Sequence, residues 1–133
     1  MSECHGVIYN GSCYTLFTNP VPWKEANATC EAHNTHLVKI ESKYENAFLR
    51  DVVLKNGEAP WIGLNDLDNE GVVVWYDGTN LTGYDNWLHR NPNNGAGNAG
   101  GNQEEDCVSF YGREWIDNDC EKGMGYVCEK EAR

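Results

Sequence analysis

This chain has little positive charge and no long apolar run, and its first residues show no signal peptide. It carries 10 Lys and Arg against 21 Asp and Glu, a formal net charge of −11, which argues against nucleic acid or an anionic membrane surface as partner. None of its apolar runs approaches the roughly 20 residues that span a membrane. The segment Met1–Cys4 has neither the basic start nor the apolar stretch of a signal peptide. We therefore expect a mature secreted protein or an excised extracellular domain.

Catalytic signatures are also missing. The sequence has no G-x-S-x-G or H-E-x-x-H motif and no paired Cys/His arrangement. The histidines show no metal-ligand spacing to one another: His5, His33, His36 and His89. Asp and Glu pairs could in principle hydrolyse a glycoside, but so small a domain offers no obvious cleft. We predict a binding protein and not an enzyme.

Six cysteines are present, an even count without any C-x-x-C pair. This usage indicates three disulfides and an oxidising compartment, although the residues alone permit fifteen pairings. Three N-x-S/T triplets, at Asn10, Asn27 and Asn80, agree with a secreted glycoprotein. A cytosolic protein with six free thiols is the alternative.

The 133 residues suffice for one domain, with helices early and strands mostly late. Pro22 suits the first turn of a helix that places Trp23, Ala26, Asn27 and Cys30 on one face. Ser42 and Glu45 form a capping box for a second helix that ends at Asn56–Gly57. The pattern predicts an α+β domain, with strands at Tyr14–Phe17, Leu37–Ile40, Trp61–Leu64, Val72–Tyr76, Cys107–Tyr111, Arg113–Ile116 and Gly125–Cys128.

The segment from Gly83 to Glu105 consists largely of Asn, Gly, Pro and acidic residues. A loop of this length inside a compact domain is uncommon unless it is functional or held by a ligand. Its stretch Asn93–Gly101 contains no residue larger than Asn and cannot form a core. The oxygen atoms of the segment suit a hard cation such as Ca²⁺. A disordered surface insertion is the alternative.

Oxygen donors concentrate in two groups of segments. One is Asn65–Gly71, and the other joins Asn91–Asn94 to Glu104–Asp106 and Asp117–Asp119. The first group imitates the opening of a helix–loop–helix calcium site. Its flanks are β-like, and Asp77 stands where that site needs Glu, so we do not assign it to that class. A solvated acidic turn is the alternative there.

The order of these motifs resembles the C-type lectin-like domain from about Cys4 to Glu129. The resemblance rests on Cys30, Trp61-Ile62-Gly63-Leu64, Trp87, Asn91-Pro92-Asn93, Glu105-Asp106-Cys107, Trp115-Ile116-Asp117, Cys120 and Cys128. It implies the long form of that fold, with two helices, small antiparallel sheets, a double loop that joins the termini, and a long ligand-binding loop. It also implies the pairs Cys4–Cys13, Cys30–Cys128 and Cys107–Cys120, and a single domain over residues 1–133.

The resemblance further implies a calcium-dependent carbohydrate-binding site. The positions that match the sugar-binding calcium ligands of the family are Asn91, Asn93, Glu105 and Asp117. Those that match an accessory calcium site are Asp66, Glu70, Asn94 and Asp106, with Glu105 shared. In this interpretation a Ca²⁺ ion joins the side chains to two vicinal hydroxyls of a sugar. The expected role is recognition of microbial or self glycans, as in innate immunity.

Two residues depart from the family pattern. Asn91 stands where Glu or Gln is usual, and Ile116 replaces an Asn that is both a metal ligand and a sugar contact. Fewer charged ligands weaken a calcium site, so we expect low affinity unless another loop residue coordinates the ion. Asn93 is the half of the motif typical of mannose binders, which favours mannose-type over galactose-type sugars.

Two other functions remain open at this point. One is a calcium-independent protein-binding module on the same fold, which Asn91 and Ile116 favour. The other is a structural protein whose acidic Asn/Gly loops contact mineral or ice. A homodimer is plausible, because a single domain gains avidity mainly by oligomerising.

Overall fold

The computed structural model describes residues 4, 6–54, 58–67, 72–81, 83–87 and 107–131. Two helices and seven strands make up this part of the chain. In order they are β1 (Val7–Tyr9), β2 (Ser12–Val21), α1 (Trp23–Ala32), β3 (His36–Leu37), α2 (Lys43–Phe48), β4 (Trp61–Asn65), β5 (Cys107–Tyr111), β6 (Glu114–Asn118) and β7 (Met124–Glu131). A π-helical turn, Leu49–Val53, continues α2. The α+β class is confirmed, and the single domain over residues 1–133 stays a prediction.

The described strands form one sheet in the order β1-β2-β7-β4-β5-β6, with β3 also paired to β7. Its pairings are antiparallel except that β4 and β7 run parallel, with Trp61 opposite Tyr126. Strand β2 lies beside β7 over most of its length, from Ser12 opposite Glu131 to Val21 opposite Met124. The chain therefore brings its two ends together, as the resemblance implies.

The first disulfide closes a small hairpin, and its pairing is the one that the resemblance implies. Cys4 and Cys13 are joined, and Asn10 and Gly11 connect β1 to β2 with φ of 49° and 85°. Positive φ at both turn residues gives the right-handed twist that a two-residue hairpin needs, which explains the Asn-Gly pair. Asn10, the first glycosylation candidate, is exposed at this turn.

Helix α1 covers one face of the sheet. Trp23, Ala26 and Cys30 are its buried residues, and Pro22 is its N-cap. The Trp23 indole donates to the backbone oxygen of Ile62 at 2.8 Å. The second disulfide, Cys30–Cys128, ties the helix to β7. Asn27 shares the inner side of α1 and its Oδ1 is buried, so it is a poorer place for a glycan than Asn10.

Helix α2 and its π-helical turn cover the other face. Ser42 Oγ accepts from the amide of Glu45 at 3.1 Å, so the predicted cap is confirmed. Glu45 Oε1 accepts from the amide of Glu41 at 2.8 Å, one residue earlier than the capping box requires. The buried residues Asn46, Leu49 and Val53 face the core. The end predicted at Asn56–Gly57 lies outside the described residues.

Two of the strand predictions are wrong, and those at Tyr14–Phe17 and Gly125–Cys128 are shorter than β2 and β7. Val72–Tyr76 forms no strand; Val74 makes isolated bridges to Asn65 and Asn80. The strand predicted at Leu37–Ile40 is instead the two-residue β3, followed by one bond from the Val38 amide to Val127. β-branched composition alone was not sufficient at either place, because a strand also needs a neighbouring strand in register.

Candidate functional site

Three strand ends meet at one end of the sheet. Asn65 ends β4 and lies opposite Cys107, the first residue of β5. Cys107 in turn lies opposite Asn118, the last residue of β6. Neighbouring strands lie about 4.8 Å apart, so the three residues form a row. The polar segments 68–71 and 88–106 both connect to this end of the sheet.

The row brings two predicted ligands to the same end of the sheet. Asp66 directly follows β4 and is 8% exposed, and Asp117 lies on β6 and is 6% exposed. Burial restricts the positions that each carboxylate can take. Carboxylate oxygens are the ligands that Ca²⁺ prefers. In type and placement, these two residues therefore fit a share in a calcium site.

The residues after Asp117 have local roles instead. Asn118 donates its amide to Met124 Sδ at 3.5 Å and accepts from the Asp119 amide at 3.0 Å. Asp119 Oδ1 accepts from the Glu121 amide at 2.9 Å. These bonds shape the turn between β6 and β7. Of the segment Asp117–Asp119, the structure thus favours Asp117 as the ligand.

The segment that enters the long polar loop is tied to β6. Asn86 accepts from the Trp115 amide through its backbone oxygen, at 2.9 Å. Its side chain donates to the backbone oxygen of Arg113 at 2.6 Å. Trp87 forms a parallel bridge with Trp115, and the two rings meet edge to face with centroids 5.8 Å apart. The loop therefore begins beside Trp115.

The segment that leaves the loop returns to the same strand. Cys107 is fully buried opposite Asn118, and its disulfide to Cys120 has a Cα–Cα distance of 5.1 Å. The two described residues that flank segment 88–106 thus both contact β6, Trp87 at Trp115 and Cys107 at Asn118. Asp117 lies between these two points.

The other predicted ligands cannot be compared with this geometry. Asn91, Asn93, Asn94, Glu70, Glu105 and Asp106 lie outside the described residues. Within the described ranges, no cluster of three or more His, Cys, Asp or Glu side chains could hold a metal. The ligand set from the resemblance therefore stays a prediction, anchored by Asp66 and Asp117.

Sequence reasoning missed a polar contact behind this end of the sheet. The indole nitrogen of Trp115 donates to Oδ1 of Asn46 at 2.9 Å, and both side chains are buried. The signal was the spacing of Asn46, Leu49 and Val53, which places a polar residue on the inner face of an amphipathic helix. Only the tertiary structure shows that its partner is Trp115.

A second missed feature is a buried acidic group between α2, β2 and β7. Tyr14 donates its hydroxyl to Oε2 of Glu45 at 2.5 Å. Glu129, opposite Tyr14 in the sheet, accepts from the Lys39 amide at 3.1 Å. Burial is the main cause that raises the pKa of Glu45 and of Glu129 above the ordinary value. Burial and the bond to Glu45 also raise the pKa of Tyr14.

We expect Glu129→Gln to stabilise the protein at neutral pH. A raised carboxyl pKa means that the fold favours the protonated form. The stability from this group is present at acid pH and is lost as pH rises through the folded-state pKa. A neutral amide keeps an acceptor for the Lys39 amide and removes the buried charge. The free energy of unfolding should rise on the order of 1 kcal/mol at pH 7, measured by urea denaturation in chelator, and should not rise at pH 4.

The matched control is Glu131→Gln, an exposed position on the same strand. It removes one charge from the same terminal segment without changing a buried group, so we expect a much smaller effect. A loss of stability of equal size at both pH values in Glu129→Gln would show that the carboxylate itself is needed for packing.

Comparison with known proteins agrees with this architecture. The family model described as the lectin C-type domain matches residues 19–130. Lectin BRA-3 of Megabalanus rosa is 37% identical over 123 residues, which cover 91% of this chain and 72% of that protein. Asialoglycoprotein receptor 1 of Mus musculus is 41% identical over 129 residues, which cover 92% of this chain and 42% of the receptor. The chain therefore spans less than half of that receptor's length.

Among solved structures, the cow C-type carbohydrate-recognition domain of CD23 superposes with a TM-score of 0.83. The two chains are 33% identical, and the match spans 100% of this chain and 97% of the CD23 domain. In the described part of this chain, no helix has the length and apolarity needed to cross a bilayer. The three disulfides are those that the resemblance implied: Cys4–Cys13, Cys30–Cys128 and Cys107–Cys120. With most of its length matched and the fold and disulfides in agreement, this chain belongs to the C-type lectin domain family.

Proposed function

We propose that this chain is a calcium-dependent carbohydrate-binding module of the extracellular space, without catalytic activity. The observation that carries the proposal is that Trp87 and Cys107, which flank segment 88–106, contact β6 on either side of Asp117. This arrangement supports convergence of Asn91, Asn93 and Glu105 on Asp117. The relatives support a binding role, because they are named as lectins and receptors.

In this proposal the side chains act as a prearranged set of oxygen ligands. Asn91, Asn93, Glu105 and Asp117 hold one Ca²⁺, which supplies a hard cation to which vicinal sugar hydroxyls bind. Asp66, Glu70, Asn94 and Asp106 would hold an accessory ion. The amides of Asn91 and Asn93 can also donate to sugar oxygens, which favours mannose-type ligands. The cow CD23 domain was solved in the presence of a GlcNAc2Man3 oligosaccharide, which supports this sugar class.

The proposal is tested by glycan binding with calcium and with chelator. We expect binding to mannose-type glycans on an array in millimolar calcium, loss of binding in chelator, and a higher melting temperature with calcium. Unchanged binding and melting in chelator would refute the calcium-dependent form. Preference for galactose-type glycans would correct the specificity and leave the mechanism intact.

A specific residue favours a second candidate, a calcium-independent protein-binding module. Ile116 places an apolar side chain, half-buried on β6, where the sugar-binding pattern has Asn. A half-buried apolar side chain can pack in the apolar centre of a protein interface, whereas it offers a sugar diol no hydrogen bond. In this case the array shows no glycan binding in either buffer. A structural role at mineral or ice is distinguished by adsorption to calcium carbonate that simple sugars do not inhibit.

The same position supplies a gain-of-function prediction. We expect Ile116→Asn to tighten calcium binding about tenfold, equivalent to about 1.4 kcal/mol, because it adds an oxygen ligand next to Asp117. Calcium titration by calorimetry measures the change. Ile116→Leu is the matched control, since it keeps an apolar side chain of the same size and should leave calcium affinity unchanged. An equal affinity for wild type and Ile116→Asn would mean that another residue already occupies this coordination position.

A further inference from the structure

Asn46 is a buried polar residue that the proposed ligand set does not use. It lies on α2, is 2% exposed, and accepts the indole N–H of Trp115 at 2.9 Å. The two residues are 69 positions apart in the chain. A helix interior disfavours Asn, and its neighbours on the buried face, Leu49 and Val53, are apolar. The bond to the indole is what this polar side chain provides.

Trp115 is the residue around which the loop entrance is organised. Its ring makes edge-to-face contacts with Trp75, Tyr84 and Trp87 at centroid distances of 5.8–6.0 Å. Its backbone amide bonds to the Asn86 oxygen. Two of these rings belong to the segment that leads into residues 88–106. A change in the angle of the Trp115 indole would therefore displace the start of the loop.

Trp115 also lies two residues before Asp117 on the same strand. Both are buried, whereas Glu114 and Ile116 are half-buried, as expected from strand alternation. The position of the indole and the position of the carboxylate are thus set by one short piece of β6. A bond that holds the indole also restrains the carboxylate.

We propose that Asn46 is a positioning residue for the binding site, acting through the Trp115 indole on Asp117 and on the entrance of residues 88–106. This inference rests on the proposed calcium-dependent function. Asn46 does not touch the ion or the sugar. Its role corresponds to that of outer-shell partners of metal ligands, whose loss typically weakens metal binding about 10- to 100-fold.

The test measures calcium affinity in two Asn46 variants and in a control variant that is destabilised on the same buried face. Asn46→Leu removes the acceptor at nearly constant volume, and Asn46→Ala removes it with a cavity. Val53→Ala is the matched control, because it destabilises the same buried face and leaves the Asn46 acceptor of the indole N–H in place. We expect the half-saturating calcium concentration, measured by calorimetry well below each melting temperature, to rise about tenfold in both Asn46 variants and to stay unchanged in Val53→Ala.

A double-mutant cycle tests whether Asn46 acts through the Trp115 indole. Trp115→Phe removes the N–H donor and keeps an aromatic ring, so combining it with Asn46→Leu should weaken calcium binding no further than Trp115→Phe alone. Additive effects of the two substitutions, or an unchanged calcium affinity in both Asn46 variants, would overturn the positioning role. Calcium-dependent binding by the wild type would still uphold the proposed function in that case. A wild type that binds no calcium would overturn both. If Asn46→Ala does not fold, Asn46→Leu carries the comparison.

Discussion

Removing the Cys30–Cys128 disulfide is expected to lower the free energy of unfolding by about 4–5 kcal/mol. The two cysteines are 98 residues apart, and in the chain-entropy account a cross-link over about 100 residues contributes about 4.7 kcal/mol. Single domains have a net stability of only about 5–15 kcal/mol. The variant Cys30→Ala/Cys128→Ala should therefore lose much of its stability, with a melting temperature about 15 °C lower.

The matched control is Cys4→Ala/Cys13→Ala. Its loop has a separation of 9 residues, so the same account assigns it a stabilisation of about 2.6 kcal/mol. Urea denaturation of the two variants measures the difference, which should be about 2 kcal/mol. Equal losses would show that local packing at the cysteines outweighs loop closure. Cys30 and Cys128 are both buried, so the cavity left by alanine adds to the loss in the longer loop.

Replacing the carboxylate of Asp117 is expected to abolish calcium-dependent sugar binding. Asp117→Asn keeps the size of the side chain and removes a negative charge from the proposed site. Ligand charge and number set calcium affinity, and the proposed site has only two acidic ligands, Asp117 and Glu105. We expect affinity for calcium to fall about 100-fold or more, equivalent to about 2.7 kcal/mol. Sugar binding should then be undetectable at millimolar calcium.

Glu114→Gln is the matched control for this change. It makes the same acid-to-amide replacement on β6, at the opposite end of the strand from Asn118. Calcium titration and glycan binding should match wild type there. If Asp117→Asn also titrates like wild type, Asp117 is not a ligand, and the geometry of β6 supports the protein-binding alternative.

Elements with a strong local signal were predicted well from the sequence. The Ser42 cap and the strand beginning at Trp61 appear where their residues indicated. Each depends on contacts within a few residues or on a continuous apolar segment. The resemblance added the disulfide pairing, which the count of cysteines alone left open.

Elements that depend on distant partners were predicted less well. The β-branched run Val72–Val74 remains outside a strand, because it pairs only through single bridges. The helix that begins at Lys43 changes to a π-helical turn at Leu49, a local shift that periodicity does not show. Gly63 allows two distant parts of the chain to lie close together, because an added Cβ would lie 2.9 Å from the backbone oxygen of Val38.

For the candidate site, the sequence predicts which side chains could bind calcium, and the fold shows where two of them, Asp66 and Asp117, lie. Residue types and motif order predict Asp66 and Asp117 as oxygen ligands. The aromatic contacts around Trp115 and its bond to Asn46 could not be predicted. They join residues that are far apart in the chain, and an indole N–H can be satisfied by many acceptors.

Residue identities alone thus determined the even number of cysteines, the acidic oxygen-rich segment and the family pattern, because composition and motif spacing are properties of the chain itself. Only the tertiary structure decided that Trp87 and Cys107, which flank segment 88–106, lie on β6 around Asp117. Strand register between β5 and β6 and ring packing on Trp115 set that arrangement. Both depend on which surfaces meet after the chain has folded, and local sequence does not encode that choice.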